Sequence, residues 1–166
     1  MRKCILPALL ASILLVSQAF ATWSIVVVNL ETGEVAVATA TCLEGFNIRR
    51  ATPVLIPGIG VATAQSAIDN WGSRVMIHDG MLAGDSLERI LADLDDADNM
   101  HQLRQYGMVN MRGETLTFTG AQAGAWRGGV TGQSGSMVYA IQGNVLSGDK
   151  VILEAEQALL NTPGDL

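Results

Sequence analysis

The sequence predicts a layered α+β domain of about 145 residues behind a short export segment. Three observations carry that prediction. Runs of β-branched, alternating or very small residues recur along the chain. Two segments between them repeat apolar residues at helical spacing, and one more helical segment follows the last strand. The order strands, two helices, strands, helix suits a fold in which helices cover sheets.

The chain opens Met1-Arg2-Lys3, runs apolar from Cys4 to Val16, turns polar at Ser17-Gln18 and reaches Ala19-Phe20-Ala21. A positive start, a short apolar run and small residues three and one before a cut are the pattern of a secretory signal. The run is short for a bilayer and contains Pro7, so a stable membrane anchor is not expected. No cysteine stands at the cut to take a lipid. Residues 1–21 therefore read as a signal peptide and 22–166 as one domain, periplasmic or secreted, with Thr22 as the first mature residue.

Thr22 to Leu30 is an apolar, β-branched strand, Glu31-Thr32-Gly33 a tight turn, and Glu34 to Thr41 the second arm of an N-terminal hairpin. Leu43 to Pro57 reads as irregular, broken by Gly45, Pro53 and Pro57. Gly58 to Ala67 is a third strand, built of residues too small to fill space, so something must approach it closely. Asn70 is positioned to cap a helix with Trp71, Val75, Met76 and Leu82 on one face. Asp85 or Ser86 starts the next helix, where Leu87, Ile90, Leu91 and Leu94 share a face. Strands resume at Arg104 to Met111 and Glu114 to Thr119 around an Arg112-Gly113 turn. Gly120 to Gly135 is glycine-rich and holds Trp126, and Ser136 to Gly143 is a further strand. Asp149 is placed to cap a last helix with Val151, Ile152, Ala155, Leu159 and Leu160 as its apolar stripe.

Composition narrows the function classes. The formal net charge is −6, and loss of Arg2 and Lys3 leaves eight basic against 16 acidic residues, near −8. That balance argues against phosphate-backbone binding and so against nucleic acid as a partner. Cys4 leaves with the signal, so Cys42 alone cannot build a disulfide framework, and its apolar approach predicts a buried structural thiol.

Four familiar constellations fall short. Asp93, Asp95, Asp96 and Asp98 lack the glycine and final glutamate of a calcium loop and read as a solvated acidic helix end. Gly132-Gln133-Ser134-Gly135-Ser136 misses the last glycine of a nucleophile elbow. Gly143 to Lys150 resembles a phosphate loop with Asp149 inserted where it would repel the ligand. His78 and His101 are isolated, surface or capping residues by expectation, and no metal site or cofactor is predicted.

Thr22 is different because processing itself would create the catalytic unit. Its α-amine, with a pKa of about 7.7–8.0, could take the proton of its own hydroxyl and later pass it to a leaving amine. Before cleavage that nitrogen is an amide and no base. Signal cleavage must nevertheless leave some residue first, and threonine is a common one.

Several segments resemble one family in order along the mature chain. Thr22-Trp23-Ser24-Ile25-Val26, Glu31 to Ala38, Val61 to Gln65, Arg104 to Val109, Thr119-Gly120, Trp126 and Gln142 to Leu146 are similar to landmarks of domain-of-unknown-function family 1028, grouped with the N-terminal-nucleophile (Ntn) hydrolases. The resemblance implies a four-layer α-β-β-α sandwich with the N-terminal residue at the sheet end where Ntn enzymes act. It makes Thr22 the family's first threonine. Two departures stand out: Ala38 to Thr41 replaces a serine followed by a basic residue, and Gly120 to Gly129 lacks a cysteine and a histidine around Trp126.

The expected function is an exported Ntn-type amidohydrolase acting on a small-molecule or peptide amide, including cell-wall-derived acylated amines. Thr22 would be nucleophile and base, and Gln65 and Asn144, each at the end of a strand, are the side-chain candidates for an oxyanion hole. Arg104 is the candidate for a substrate carboxylate, with a structural ion pair as its alternative. The competing class is a non-catalytic exported binding module on the same fold.

Overall fold

A computed structural model describes residues 21–69, 72–164 and 166. The signal segment up to residue 20, the helix cap at Asn70 and the packing position of Trp71 lie outside the described residues. β1 (Thr22–Asn29) and β2 (Val35–Thr41) form the N-terminal hairpin, followed by a short α1 (Ile48–Ala51), β3 (Pro53–Ile56) and β4 (Gly60–Gln65). Helices α2 (Gly72–Ala83) and α3 (Leu87–Ala97) and a 3₁₀ turn (His101–Leu103) lead to β5 (Gln105–Asn110) and β6 (Thr115–Thr119). β7 (Arg127–Ser134), β8 (Met137–Asn144) and α4 (Lys150–Asn161) complete the order. The strands form two antiparallel four-stranded sheets, β2-β1-β8-β7 and β3-β4-β5-β6. Among the described residues no helix is long and apolar enough to cross a membrane.

Strand alternation sets the packing, because successive side chains leave opposite faces. Val26 and Val28 of β1 and Val138 and Ala140 of β8 meet Val61 of β4 and Val109 of β5 between the sheets. The outer face of the second sheet carries Val54, Ile56, Ala62 and Ala64, on which Ile77 and Met81 of α2 and Leu87, Ile90 and Leu94 of α3 pack. The small residues of β4 thus admit both the facing sheet and a helix. Val27, Tyr139 and Ile141 face the other way, onto Ile152 of α4, with Trp23 and Trp126 beside them. The packing order is α2 and α3, second sheet, first sheet, α4.

Four elements differ from expectation. β3 lies inside the segment predicted to be irregular. It is an edge strand of four residues that opens with Pro53, and the edge is where a sheet tolerates proline. β7 occupies part of the glycine-rich segment; a Cβ at Gly132 would lie 2.2 Å from the Tyr139 hydroxyl, so the strand gives up side chains where its neighbour's are large. α2 buries Ser73, Arg74, Ile77 and Met81, and leaves Val75 and Leu82 about half exposed. Its inner face is partly polar, since Ser73 Oγ donates to Asp69 at 2.6 Å and Arg74 Nη1 to the Arg50 carbonyl at 2.8 Å. Asp149 does occupy the N-cap position of α4, but its side chain makes no capping hydrogen bond. Ser86 does cap α3, accepting from the Arg89 amide at 3.2 Å.

Candidate active site

The space between the sheets changes character along its length. Toward one end it is valine; toward the other, each inner strand turns polar. On β1 the inward residues run Val28, Val26, Ser24, Thr22, and on β8 Val138, Ala140, Gln142, Asn144. On β4 they run Val61, Thr63, Gln65, and on β5 Val109, Gly107, Gln105. Ser24, Thr63, Gln65, Gln105, Gln142 and Asn144 are all at most 2% exposed. Buried polar groups are costly unless satisfied, and apart from Gln142 Oε1, which has no hydrogen-bond partner, the side chains at this end of the core form a connected network.

Gln105 is its hub. Gln105 Oε1 accepts from Gln65 Nε2 at 2.8 Å and from Asn144 Nδ2 at 3.0 Å. Its Nε2 donates to Thr119 Oγ1 at 2.9 Å and to the Gly143 carbonyl at 2.8 Å. Gln65 also donates to the Gln142 carbonyl at 3.4 Å and accepts a hydrogen bond from Ser24 Oγ. Gln142 Nε2 donates to Thr63 Oγ1 at 2.6 Å, in the space left by Gly107, where a Cβ would lie 2.0 Å from Gln142 Oε1.

At the mouth of this network Thr22 begins β1, paired with Thr41 on one side and Asn144 on the other. Thr22 Oγ1 lies 3.0 Å from Thr41 Oγ1, and Ser24 Oγ repeats the pattern 2.9 Å from Thr39 Oγ1. Thr41 Oγ1 also donates to the Ala21 carbonyl at 3.2 Å and accepts from the Leu43 amide at 3.3 Å. The carbonyl at the predicted cut is thus held against β2, where the Cys42 amide donates to it as well, at 3.2 Å.

Thr22, Gln65 and Asn144 line one cleft of about 680 Å³, within the size range of small-molecule sites. Loops after β2, β4, β6 and β8 form its walls. Among the described residues the non-glycine positions with positive φ are Ser66 (58°), Ala67 (30°) and Val145 (55°), and all three line this cleft. A β-branched residue in that region is a true outlier, and such strain persists where the surroundings enforce it, characteristically at functional sites. Arg127 braces the wall from outside the lining, donating to the carbonyls of Gly120 (3.0 Å), Gly124 (2.6 Å) and Ala121.

The structure brings Thr22, Gln65 and Asn144 together but not Arg104. Arg104 is buried and paired with Asp98, Nε to Oδ2 at 2.7 Å, outside the cleft lining. That bond holds the Asp98 carboxyl below its ordinary pKa. Gln65 spends both amide hydrogens inside the network, whereas one Asn144 amide hydrogen goes to Gln105 and the amide carries two. Two other expectations change. Cys42 is exposed, because it follows the end of β2, where the chain leaves the sheet. His101 is buried, its ring 4.1 Å from that of Phe118 and 5.6 Å from that of Tyr106, and burial pushes its pKa down. Thr41, Ser24 and Gln105 were not singled out by sequence; their signal is that each is the polar member at the same end of an otherwise apolar inner face.

The family model of DUF1028, described as a family of unknown function, matches residues 22–166. The crystal structure of a Silicibacter pomeroyi protein assigned to the same family is similar, with a TM-score of 0.75 at 18% sequence identity, over 87% of this chain and 64% of that one. The chain spans less than two thirds of that protein's length, and the likeness is one of fold. No curated protein matches the sequence.

Proposed function

The chain belongs to the DUF1028 family, and we propose on that premise that it is an exported Ntn-type amide hydrolase, active once its leader is removed after Ala21. The observation that carries this reading is the position of Thr22. It starts an inner strand, reaches the floor of the cleft, and has its hydroxyl beside Thr41 and its strand partner Asn144 in the same lining. The packing order of helices and sheets supports the Ntn type.

Cleavage would turn the Thr22 nitrogen from an amide into an amine. The amine takes the Oγ1 proton, directly or through one water, as Oγ1 attacks the substrate's carbonyl carbon. The carbon–nitrogen bond breaks, the departing amine takes that proton, and an ester remains on Thr22. Water then hydrolyses the ester, the carboxylic acid leaves and the hydroxyl is restored. The second Asn144 amide hydrogen is the donor for the developing oxyanion, with Gln105 and Gln65 holding Asn144 in place. A peptide or an acylated cell-wall amine in the periplasm or medium fits this chemistry.

The test is turnover of an amide panel by the exported protein. Thr22→Ala should abolish hydrolysis and Thr22→Ser should retain part of it; equal rates for Thr22→Ala and the unsubstituted protein would end the proposal. One observation favours the second reading, a binding module without chemistry: Gln65, one of two anticipated oxyanion donors, is committed to the interior.

A further inference from the structure

We infer that the ligand taken by this cleft is an amide whose acyl group is uncharged and apolar. The inference rests on the proposed role of Thr22 only for where the carbonyl sits; the choice of acyl group comes from the walls. Those walls carry Leu43, Phe46, Ile68, Leu103, Ala123 and Val145; the polar side chains are those of Thr22, Gln65 and Asn144 at the network end, with Ser66 and Gln122 in the surrounding loops. None of the described lining residues has an ionisable side chain. Phe46 and Ile68 keep 42% and 38% of their surface exposed in the lining of one concavity, which is apolar area that a ligand can cover.

Two cations next to the walls are committed elsewhere: Arg104 is paired with Asp98, and Arg127 is spent on three loop carbonyls. The one charge that cleavage would add, on the residue-22 amine, sits at the floor with the amide carbonyl; a carboxylate at the far end of the acyl chain would lose water and find no ionisable side chain in the described lining, in a protein that is itself acidic. A methylene entering it gains about fourfold in affinity if fully buried. The recognition geometry is therefore most polar at the amide carbonyl and, Ser66 and Gln122 apart, apolar beyond it.

Calorimetric titration of the exported protein carrying Thr22→Ala, which removes turnover, tests this with three probes: butanamide, octanamide and suberic monoamide. Octanamide should bind at least tenfold more tightly than either of the others. Equal or tighter binding of suberic monoamide, or no binding of any probe, would overturn the inference. Adding Ile68→Lys, at an exposed position, should narrow the gap between octanamide and suberic monoamide at least fivefold; an unchanged gap would place the acyl group elsewhere and overturn it too. The two readings separate cleanly. Selective binding with no hydrolysis of octanoyl amides by the unsubstituted protein would sink the hydrolase and keep the ligand class. Hydrolysis that prefers charged acyl groups would do the reverse.

Discussion

The hydroxyl of Thr41 stands 3.0 Å from the hydroxyl of Thr22, and it also donates to the carbonyl of Ala21 at 3.2 Å. Removal of Ala21 would take away that acceptor and leave Thr41, still fixed by the Leu43 amide, as a hydrogen-bonding neighbour of the proposed nucleophile. Thr41 is in this account a positioning residue. Thr41→Val should lower kcat about tenfold, the worth of one hydrogen bond of about 1–1.5 kcal/mol, with little change in KM. Thr41→Ser should restore the rate, which a merely structural role would not require.

Gln105 ties together side chains and carbonyls from β4, β6 and β8. Gln105→Leu leaves the Gln65 and Asn144 amides without their common acceptor in a dry interior. The expected cost is about 3 kcal/mol, from about 1–3 kcal/mol for each buried group left unsatisfied, and chemical denaturation reads it. Activity should fall further than folding at low temperature explains, since Asn144 loses its support.

Gly107 faces the Gln142 amide, and Gln142 cannot swing aside without breaking its bond to Thr63 Oγ1 at 2.6 Å. Gly107→Ala should destabilise by about 2 kcal/mol, as overpacking of a filled core does, and lower Tm by about 4–8 °C for a chain of this size. A variant as stable as the parent would show that the inter-sheet network repacks.

Acid should loosen the second sheet in two ways. His101 is buried, which lowers its pKa below the ordinary 6.5; the unfolded chain then binds a proton that the folded chain refuses, so stability falls as pH drops below about 6.5. Asp98 is held low by its hydrogen bond from Arg104, so its contribution is present above the ordinary carboxylate pKa and is lost as pH falls through its own lower value. Urea midpoints at pH 7.5 and 5.5 should show a drop that His101→Phe reduces. An identical drop in the variant would remove His101 from the account.

Much of the fold was legible because local rules and tertiary packing agree. The β1–β2 hairpin, β4, the capped α3 and the β5–β6 hairpin all carry the period and the turn residues that their surroundings demand. β3 and β7 were hidden because edge strands need neither an apolar run nor side chains at every position. The buried face of α2 does not follow its apolar residues, because it includes Ser73 and Arg74, whose partners Asp69, Tyr106 and Arg50 come from other segments. At the site, Thr22 was visible through the cleavage pattern, and Gln65 and Asn144 through their strand ends. Thr41, Ser24 and Gln105 look like ordinary strand residues until register gathers them at one end of the inter-sheet space.

The central claim is that export exposes the Thr22 amine, and the most direct measurement is intact mass with N-terminal sequencing of the protein recovered after secretion. The account predicts a single species beginning Thr22-Trp23-Ser24. A protein beginning at any other residue, or retaining residues 1–21, has no α-amine beside the Thr22 hydroxyl, and the hydrolase would be contradicted.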